Sequence, residues 1–431
     1  MVKPNVVIIY ADDLGYGDLG CYGSENIKTP NLDWLSKHGM KFTNWYSNSP
    51  VCSPSRASLL TGKYPGNAGV TKILGGKRGT PGLTSDKKTL ATLLNSVGYK
   101  TGIFGKWHLG MGNDQMPNGH GFDEFFGFLA GCVDYYSHIF YWEQGNKVNP
   151  VHDLWHNETE VWCNGQYLTE LITDKAIEFI DNNKDDPFFL YVPYSAPHYP
   201  MHAPQKYIDR YPNLPADKQI MAAMISAMDD GIGEIVETLR SNNQFEDTIV
   251  FFSSDNGPST ESRNYLDGTE DLYYGGSAGV FRGHKGSLFE GGIREPAIMC
   301  YPKLIPKGET SDNIAMMMDI VPTILDGLGI EYNDMDFDGK SLMSMIVNNE
   351  KSPHGQVFWE YDGQLAIREG AWKLVLNGKL DFDRKQADKV HLSNLNTDIN
   401  EQFNLKEQFP SITKRLKKDL ETWYVQQIAD H

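Results

Sequence analysis

The sequence predicts an α/β fold: a large, mixed but mostly parallel sheet flanked by helices, followed by a smaller antiparallel sheet and a closing helix. Three observations predict it. Short apolar runs alternate with stretches of helical periodicity over most of the chain, as expected of strands buried on both faces beneath crossover helices. Polar residues able to do chemistry stand directly after several of those runs. Past about residue 345 the runs are brief and joined by tight turns, which suits a small antiparallel sheet. Residues 1–345 are therefore expected to form the main domain and 346–431 a C-terminal subdomain.

Taken in order, Val6-Val7-Ile8-Ile9-Tyr10 reads as a strand buried on both faces, ending in Asp12-Asp13. Thr29-Pro30, then Leu32, Leu35 and a closing Gly39, reads as a capped helix. Cys52-Ser53-Pro54-Ser55-Arg56 is a proline-punctuated turn expected to open a helix near Pro54. Leu90, Leu93, Leu94 and Val97 keep helical spacing up to Gly98, and Gly102-Ile103-Phe104 leads into Lys106-Trp107-His108. A helical stripe from Leu168 to Ile180 precedes the strand Phe188–Val192. The longest amphipathic helix runs from Met221 to Leu239, before a strand from Thr248 to Ser253 that ends in Asp255-Asn256. Gly257 to Gly292, rich in glycine and polar residues, reads as a long functional loop. Val357–Trp359, Leu365–Ile367, Trp372–Leu376 and Val390–Leu395 are short strands, and Pro410–Val425 is a terminal helix.

Composition bounds the function. The 431 residues are 40% hydrophobic and 22% charged, which excludes wholesale disorder, collagen and coiled coil. No run reaches the roughly 18 apolar residues of a membrane span. The net charge of −17 is the opposite of a nucleic-acid binder's balance, so no nucleic-acid partner is expected. An anionic substrate would require the site to gather its own basic residues. Five cysteines without a CxxC pair argue against a disulfide scaffold or zinc ribbon. The start carries no signal peptide as written. The expectation is a cytoplasmic protein, or a periplasmic or secreted one if a leader was removed. Composition does not specify an oligomeric state.

Asp12, Asp13, Lys106, His108, His198, Asp255 and Asn256 all fall just past expected strand ends, where open parallel sheets bind ligands. Asp12, Asp13, Asp255 and Asn256 offer three carboxylates and an amide oxygen. That set suits a hard cation, and Ca²⁺ accepts irregular geometry more readily than Mg²⁺. An isolated Asp-Asp is ordinarily turn chemistry. A second acidic strand end reverses that reading, since close carboxylates repel without a cation. Cys52 at a helix start, with Arg56 one turn on, would sit where an anion is stabilised, although a lone Cys is as often a packing residue. Lys106 and Lys285 stand among glycines that let the backbone approach closely. Taken alone, His108 would be a satisfied core histidine, whereas His198, placed just after a strand, is as readily a functional group as a core one.

The run Cys52-Ser53-Pro54-Ser55-Arg56-Ala57-Ser58-Leu59-Leu60-Thr61-Gly62-Lys63 resembles the signature of the formylglycine-dependent type I sulfatases, in the alkaline phosphatase superfamily. The resemblance continues through Asp12-Asp13, Gly105-Lys106-Trp107-His108, Pro197-His198, Asp255-Asn256, Gly283-His284-Lys285-Gly286 and Gly291-Gly292-Ile293-Arg294-Glu295-Pro296. It implies an alkaline-phosphatase-like fold and sulfate ester hydrolysis. It also implies that Cys52 is oxidised to formylglycine by a formylglycine-generating or anaerobic sulfatase-maturing enzyme. Asp12, Asp13, Asp255, Asn256 and the modified Cys52 would then hold the Ca²⁺. By the same resemblance, a hydroxyl of hydrated Cys52, activated by Asp255 and the metal, attacks sulfur while Arg56, Lys106 and Lys285 meet the growing charge. His198, assisted by Lys285, would protonate the leaving oxygen, and His108 would deprotonate the second hydroxyl so that sulfate is eliminated.

The substrate expected is a sulfated carbohydrate of galactose or N-acetylgalactosamine type. Asp134, His138 and His202, with Tyr135 and Tyr136, are its candidate pocket residues, and ordinary loop packing is the competing account. Trp142, Trp155, Trp162 and Trp359 are candidate stacking platforms. Two rival functions share these features: a phosphodiesterase or phosphonate monoester hydrolase on the same scaffold, and a non-catalytic sulfated-glycan-binding protein with unmodified Cys52. Many relatives carry Leu-Tyr-Asp-Leu before the final helix. His391-Leu392-Ser393-Asn394-Leu395 departs from that pattern, which bears on specificity rather than chemistry.

Overall fold

The computed structural model describes residues 3–112, 114–141, 150–261, 275–332, 336–380 and 387–429. Among them the main sheet has ten strands. Its parallel centre runs, in spatial order, Thr248–Ser254, Asn5–Ala11, Phe188–Pro193, Lys100–Lys106 and Glu124–Phe128. The expected α/β class and mostly parallel sheet are thus present. The reason lies in the central strand: Val6 through Ala11 are all fully buried. A run this apolar is stable only when both faces are covered, and each such side chain contributes on the order of 1.5–3 kcal/mol of hydrophobic stabilisation.

Helices supply the cover. Leu168–Asn182 packs beside Ala216–Ser241, which in turn meets Pro30–His38. Asp229 fixes that last contact by accepting hydrogen bonds from the backbone N–H groups of Asn31 and Leu32. The helix expected near Pro54 instead spans Cys52–Thr61, with Val51 as the extended residue before it. Cys52 is therefore in the first helical turn itself.

The sequence reading did not name Met40–Phe42, Glu124–Phe128 or Ala297–Cys300, all of which join the sheet. Met40–Phe42 has only three residues and Ala297–Cys300 four, too few to show a periodicity of their own. Ala297–Cys300 makes two long-range antiparallel pairings, with Thr248–Ser254 on one side and Met40–Phe42 on the other.

The four expected C-terminal strands form an antiparallel sheet in sequence order, Val357–Tyr361, Gln364–Glu369, Trp372–Leu376 and Val390–Asn394. Alternation assigns its faces. Val357, Trp359, Ala366 and Val375 pack on Tyr46, Phe289, Ile293 and Met318, while Ile367, Leu374 and Leu392 pack on Leu416 and Leu420 of the Pro410–Ala429 helix. Trp359 is sealed in the first of these clusters and donates from Nε1 to Ser47 O at 2.8 Å. It is a packing residue and not the stacking platform expected. Trp142 lies outside the described residues.

A buried charge cluster reinforces the same junction. Lys373 Nζ lies 2.7 Å from Glu290 Oε1 and 3.5 Å from Glu401 Oε1, and Arg294 Nη1 lies 3.0 Å from Glu290 Oε2. Glu290 closes the segment carrying Lys285, so the second sheet helps to position that segment. No helix among the described residues is long and apolar enough to cross a membrane.

Candidate active site

Asp12 and Asp13 follow the Asn5–Ala11 strand, Asp255 and Asn256 follow Thr248–Ser254, and Lys106 ends Lys100–Lys106. Parallel neighbours end on the same side of a sheet, so these residues meet at one edge. Two of the residues there adopt left-handed backbone despite having a Cβ: Asp13 at φ +63° and His108 at φ +53°. Non-glycine residues seldom take this conformation except where the surroundings dictate it.

Ion pairs interlock the site. Arg56, fully buried, donates from Nη2 to Asp255 Oδ2 at 2.7 Å and lies 3.4 Å from Asp12 Oδ1. Lys106 Nζ donates to Asp12 Oδ2 at 2.6 Å, and Lys285 Nζ to Asp13 Oδ2 at 2.9 Å. Asn256 donates from Nδ2 to Asp13 Oδ1 at 2.7 Å, and Asp13 N–H donates to Asp255 Oδ1. Burial raises the Asp12 carboxyl, but Lys106, Arg56 and Lys285 outweigh it and hold the group below its ordinary range. Asp13 is pushed up to about 7 by burial, which Lys285 only partly offsets and which Asp12 and Asp255 reinforce. Asp255 is pushed up to about 6 by burial and by Asp12, against Arg56 and Lys106.

These residues fit a cation. Asp12, Asp13, Cys52 and His198 each place a ligand atom within 4.8 Å of the others. Asp12 Oδ1 and Asn256 Oδ1 are buried without a hydrogen-bond partner among the described residues, an arrangement that is costly unless something else satisfies them. The raised carboxyls of Asp13 and Asp255 point the same way: positive charge is still owed to the cluster. An all-oxygen set with one additional ligand from position 52 suits a hard divalent ion.

The two histidines differ in tautomer. His108 lies with Nε2 3.0 Å from Leu74 O, so this nitrogen carries the proton and Nδ1, which has no hydrogen-bond partner among the described residues, is left as a base. His198 donates from Nδ1 to Tyr199 O at 2.6 Å, leaving Nε2 to accept from Lys285 Nζ at 3.3 Å. Burial, then Lys106, pushes His108 well below the usual imidazole range, and burial, then Lys285, does the same to His198. Cys52 is buried, and that burial pushes its thiol up to about 12 despite Lys106 and Lys285. Burial thus disfavours the thiolate, the nucleophilic form of an unmodified cysteine.

The pocket candidates are placed differently. Asp134 accepts at Oδ1 from the backbone N–H groups of Tyr136 and Ser137, and its Oδ2 lies 3.2 Å from His202 Nδ1. Burial opposes ionisation of Asp134, but His202 and those N–H groups outweigh it and hold the carboxyl low. His138, fully buried at φ +56°, directs Nε2 to Gln166 O. Both therefore shape the loop, whereas His202 keeps partial exposure. Tyr135 donates its hydroxyl to His198 O and ties this loop to the site.

Glu261, whose Oε2 lies 3.5 Å from Lys285 Nζ, was not singled out from the sequence. Nor was Tyr10, whose ring lies 5.3 Å beneath Arg56. Neither belongs to a recognisable local motif. The described part of the Gly257–Gly292 loop carries Lys285, held by backbone bonds from Lys285 to Pro258, from Gly286 to Pro50 and from His284 to Leu380.

Comparison with known proteins gives consistent results. A family model described as Sulfatase matches residues 4–330, and one described as N-sulphoglucosamine sulphohydrolase, C-terminal, matches residues 276–426. The chain is 32% identical to arylsulfatase A of Bos taurus, over 91% of its own length and 78% of that protein. It is 33% identical to N-acetylgalactosamine-6-sulfatase of Sus scrofa, over 86% and 71% respectively. Among solved structures, Ps i-CgsB in complex with k-i-k-neocarrahexaose superposes with a TM-score of 0.86 at 33% identity, covering 98% of this chain and 92% of that one. A phosphonate monoester hydrolase of Agrobacterium radiobacter shares the fold, with a TM-score of 0.68 at 20% identity over 99% and 96% of the two chains.

Proposed function

The chain belongs to the sulfatase family of the alkaline phosphatase superfamily and is a sulfuric ester hydrolase; from that premise we propose that its substrate is a sulfated carbohydrate, turned over with Cys52 as formylglycine and with bound Ca²⁺. A galactose- or N-acetylgalactosamine-type sugar is the favoured substrate, supported by relatives such as the porcine N-acetylgalactosamine-6-sulfatase and by the neocarrahexaose named with Ps i-CgsB. A formylglycine-generating or anaerobic sulfatase-maturing enzyme is the partner this requires. In this reading residues 1–345 form the catalytic domain and 346–431 a subdomain that completes its mouth.

The observation that carries the reading is the meeting of buried Cys52 with Asp12, Asp13, Asp255, Lys106, Lys285 and two differently protonated histidines at one sheet edge. Asp12, Asp13, Asp255 and Asn256 would hold the cation with residue 52. Together the two groups would supply charge neutralisation, polarisation of the ester, and an oxygen nucleophile with a second hydroxyl for releasing the product.

The remaining roles belong to the chain's own side chains. Lys106 and Lys285 set two ammonium groups beside the position of the sulfate. Arg56 faces Asp12 and Asp255, so it contributes mainly by fixing those carboxylates. His198 shares a proton with Lys285, and an incoming anion raises its proton affinity, which equips the pair to protonate the leaving oxygen. His108, with a free Nδ1 lone pair, accepts a proton on the opposite side of the cycle.

The test compares 4-nitrophenyl sulfate with a 4-nitrophenyl phosphodiester on protein co-expressed with a maturing enzyme. Sulfate turnover dominating supports the reading. Phosphodiester turnover dominating would instead favour the phosphonate hydrolase type of activity.

A further inference from the structure

We propose that a second cleft, beside the catalytic pocket, binds the sugar units next to the sulfated one, so that the enzyme prefers an oligosaccharide over a free monosaccharide; this rests on the sulfatase reading above. The cleft has a volume of about 420 Å³ and is lined by Asn48, Tyr64, Lys72, Tyr361, Trp423 and Tyr424, among others. Ligand clefts in proteins typically enclose about 300–1,000 Å³. It lies where the main domain, the tip of the second sheet and the terminal helix come together.

Its walls are continuous with the catalytic groups. Asn48 precedes Cys52 by one helical turn of sequence. The segment holding Lys72 continues to Leu74, whose N–H donates to Ser53 Oγ and whose carbonyl fixes His108. On the other side, Tyr361 begins the turn to Gln364, which donates from Nε2 to Gly286 O, next to Lys285. The Tyr361 phenol, raised by burial and by Asp362, also senses Cys52 and Lys285. These links tie the cleft walls to the segments that carry Cys52, His108 and Lys285.

The chemistry of the lining suits a sugar. Trp423 is part-buried, stacked at 5.0 Å on Phe358 and met edge-on by Tyr64 at 5.3 Å, so its orientation is held rigidly. Tyr361 and Tyr424 are also part-buried, offering apolar rings with hydroxyl tips of the kind that suit an amphipathic ligand. Asn48 is buried, with Oδ1 accepting from Met318 N–H, yet its Nδ2 has no partner among the described residues. An amide donor without a partner just behind a cleft wall is costly unless a ligand oxygen reaches it. Lys72 is exposed at the rim, placed to meet a further sulfate or carboxylate on the chain.

The test uses matured full-length protein, 4-nitrophenyl sulfate, and carrageenan, chondroitin sulfate and heparan sulfate oligosaccharides from two to six sugars with their sulfated monosaccharides. The proposal expects kcat/KM to rise with chain length, and Trp423→Ala and Lys72→Ala each to cost about tenfold on the longer chains without change on 4-nitrophenyl sulfate. Retained aryl sulfate turnover certifies that each variant is folded. Equal rates on monosaccharide and oligosaccharide would overturn the proposal, as would equal losses on every substrate, or aryl sulfate turnover with none of the oligosaccharides hydrolysed. No aryl sulfate turnover by the matured wild type would instead overturn the sulfatase reading beneath it.

Discussion

Lys285 Nζ lies 3.3 Å from Nε2 of His198 while also donating to Asp13 Oδ2 at 2.9 Å. One ammonium thus links the group that would protonate the leaving oxygen to a carboxylate that would hold the cation. The histidine's other nitrogen is committed to Tyr199 O at 2.6 Å, so the ring cannot turn without losing both bonds. General acid assistance should therefore depend on this pair.

Its importance should scale with how badly the leaving group needs a proton. His198→Ala is expected to lower kcat on a sugar sulfate by about 10²–10⁴-fold. On 4-nitrophenyl sulfate, whose phenolate leaves unaided, the loss should be far smaller. Steady-state kinetics on the two substrates checks this, and equal losses would remove His198 from the acid role.

The carboxylate cluster should show its cation by stability as well as by activity. Ca²⁺ at a hundred times its Kd is expected to stabilise the fold by about 2.7 kcal/mol, seen as a rise in Tm. Asp13→Asn should abolish that rise. A Ca²⁺ response unchanged by the substitution would place the ion elsewhere.

Asp18 makes a pH prediction remote from the catalytic chemistry. Its buried carboxyl is pushed up to about 7 by burial, against hydrogen bonds from Ser277 and Gly15 N–H groups. A raised folded value means that the native state holds the proton more tightly than the unfolded chain. This contribution is fully present below pH 3.8 and is lost as pH climbs to about 7. A rise of about three pH units corresponds to at most about 4 kcal/mol. The stability difference between wild type and Asp18→Asn should fall across that window, measured by urea unfolding at several pH values. A difference that does not change with pH would refute the assignment.

Lys373→Met should leave Glu290 buried with Arg294 and the more distant Arg368 as its charge partners among the described residues. Breaking one side of a buried pair typically costs about 3–5 kcal/mol. Because Glu290 closes the Lys285 segment, kcat should fall with Tm. The double variant Lys373→Met with Glu290→Gln should recover part of the stability, and no recovery would argue against a charge imbalance as the cause.

Much of the site was legible because the strands leading into Asp12-Asp13 and Asp255-Asn256 carry continuous apolar runs. Asp12-Asp13 and Asp255-Asn256 end two such runs, which are adjacent and parallel in the sheet, so proximity followed from topology. The position of Lys285 was legible only through its motif. Its segment is set by contacts with Pro50, Leu380 and Gln364, and no local pattern encodes such long-range bonds. Trp359 shows the opposite limit: a tryptophan's exposure depends on which face of a small sheet is covered, and here that face packs on Tyr46, Phe289, Ile293 and Met318. The cleft beside Trp423 was equally invisible, since its walls come from segments more than 300 residues apart.

The central claim is that residue 52 works as an aldehyde within this carboxylate and lysine cage. Mass spectrometry of the peptide spanning Cys52, from protein co-expressed with a formylglycine-generating enzyme, tests it most directly. The account predicts the mass of the aldehyde or its hydrate in place of the thiol. An unmodified thiol in that sample would contradict it and leave binding without turnover as the better description of the site.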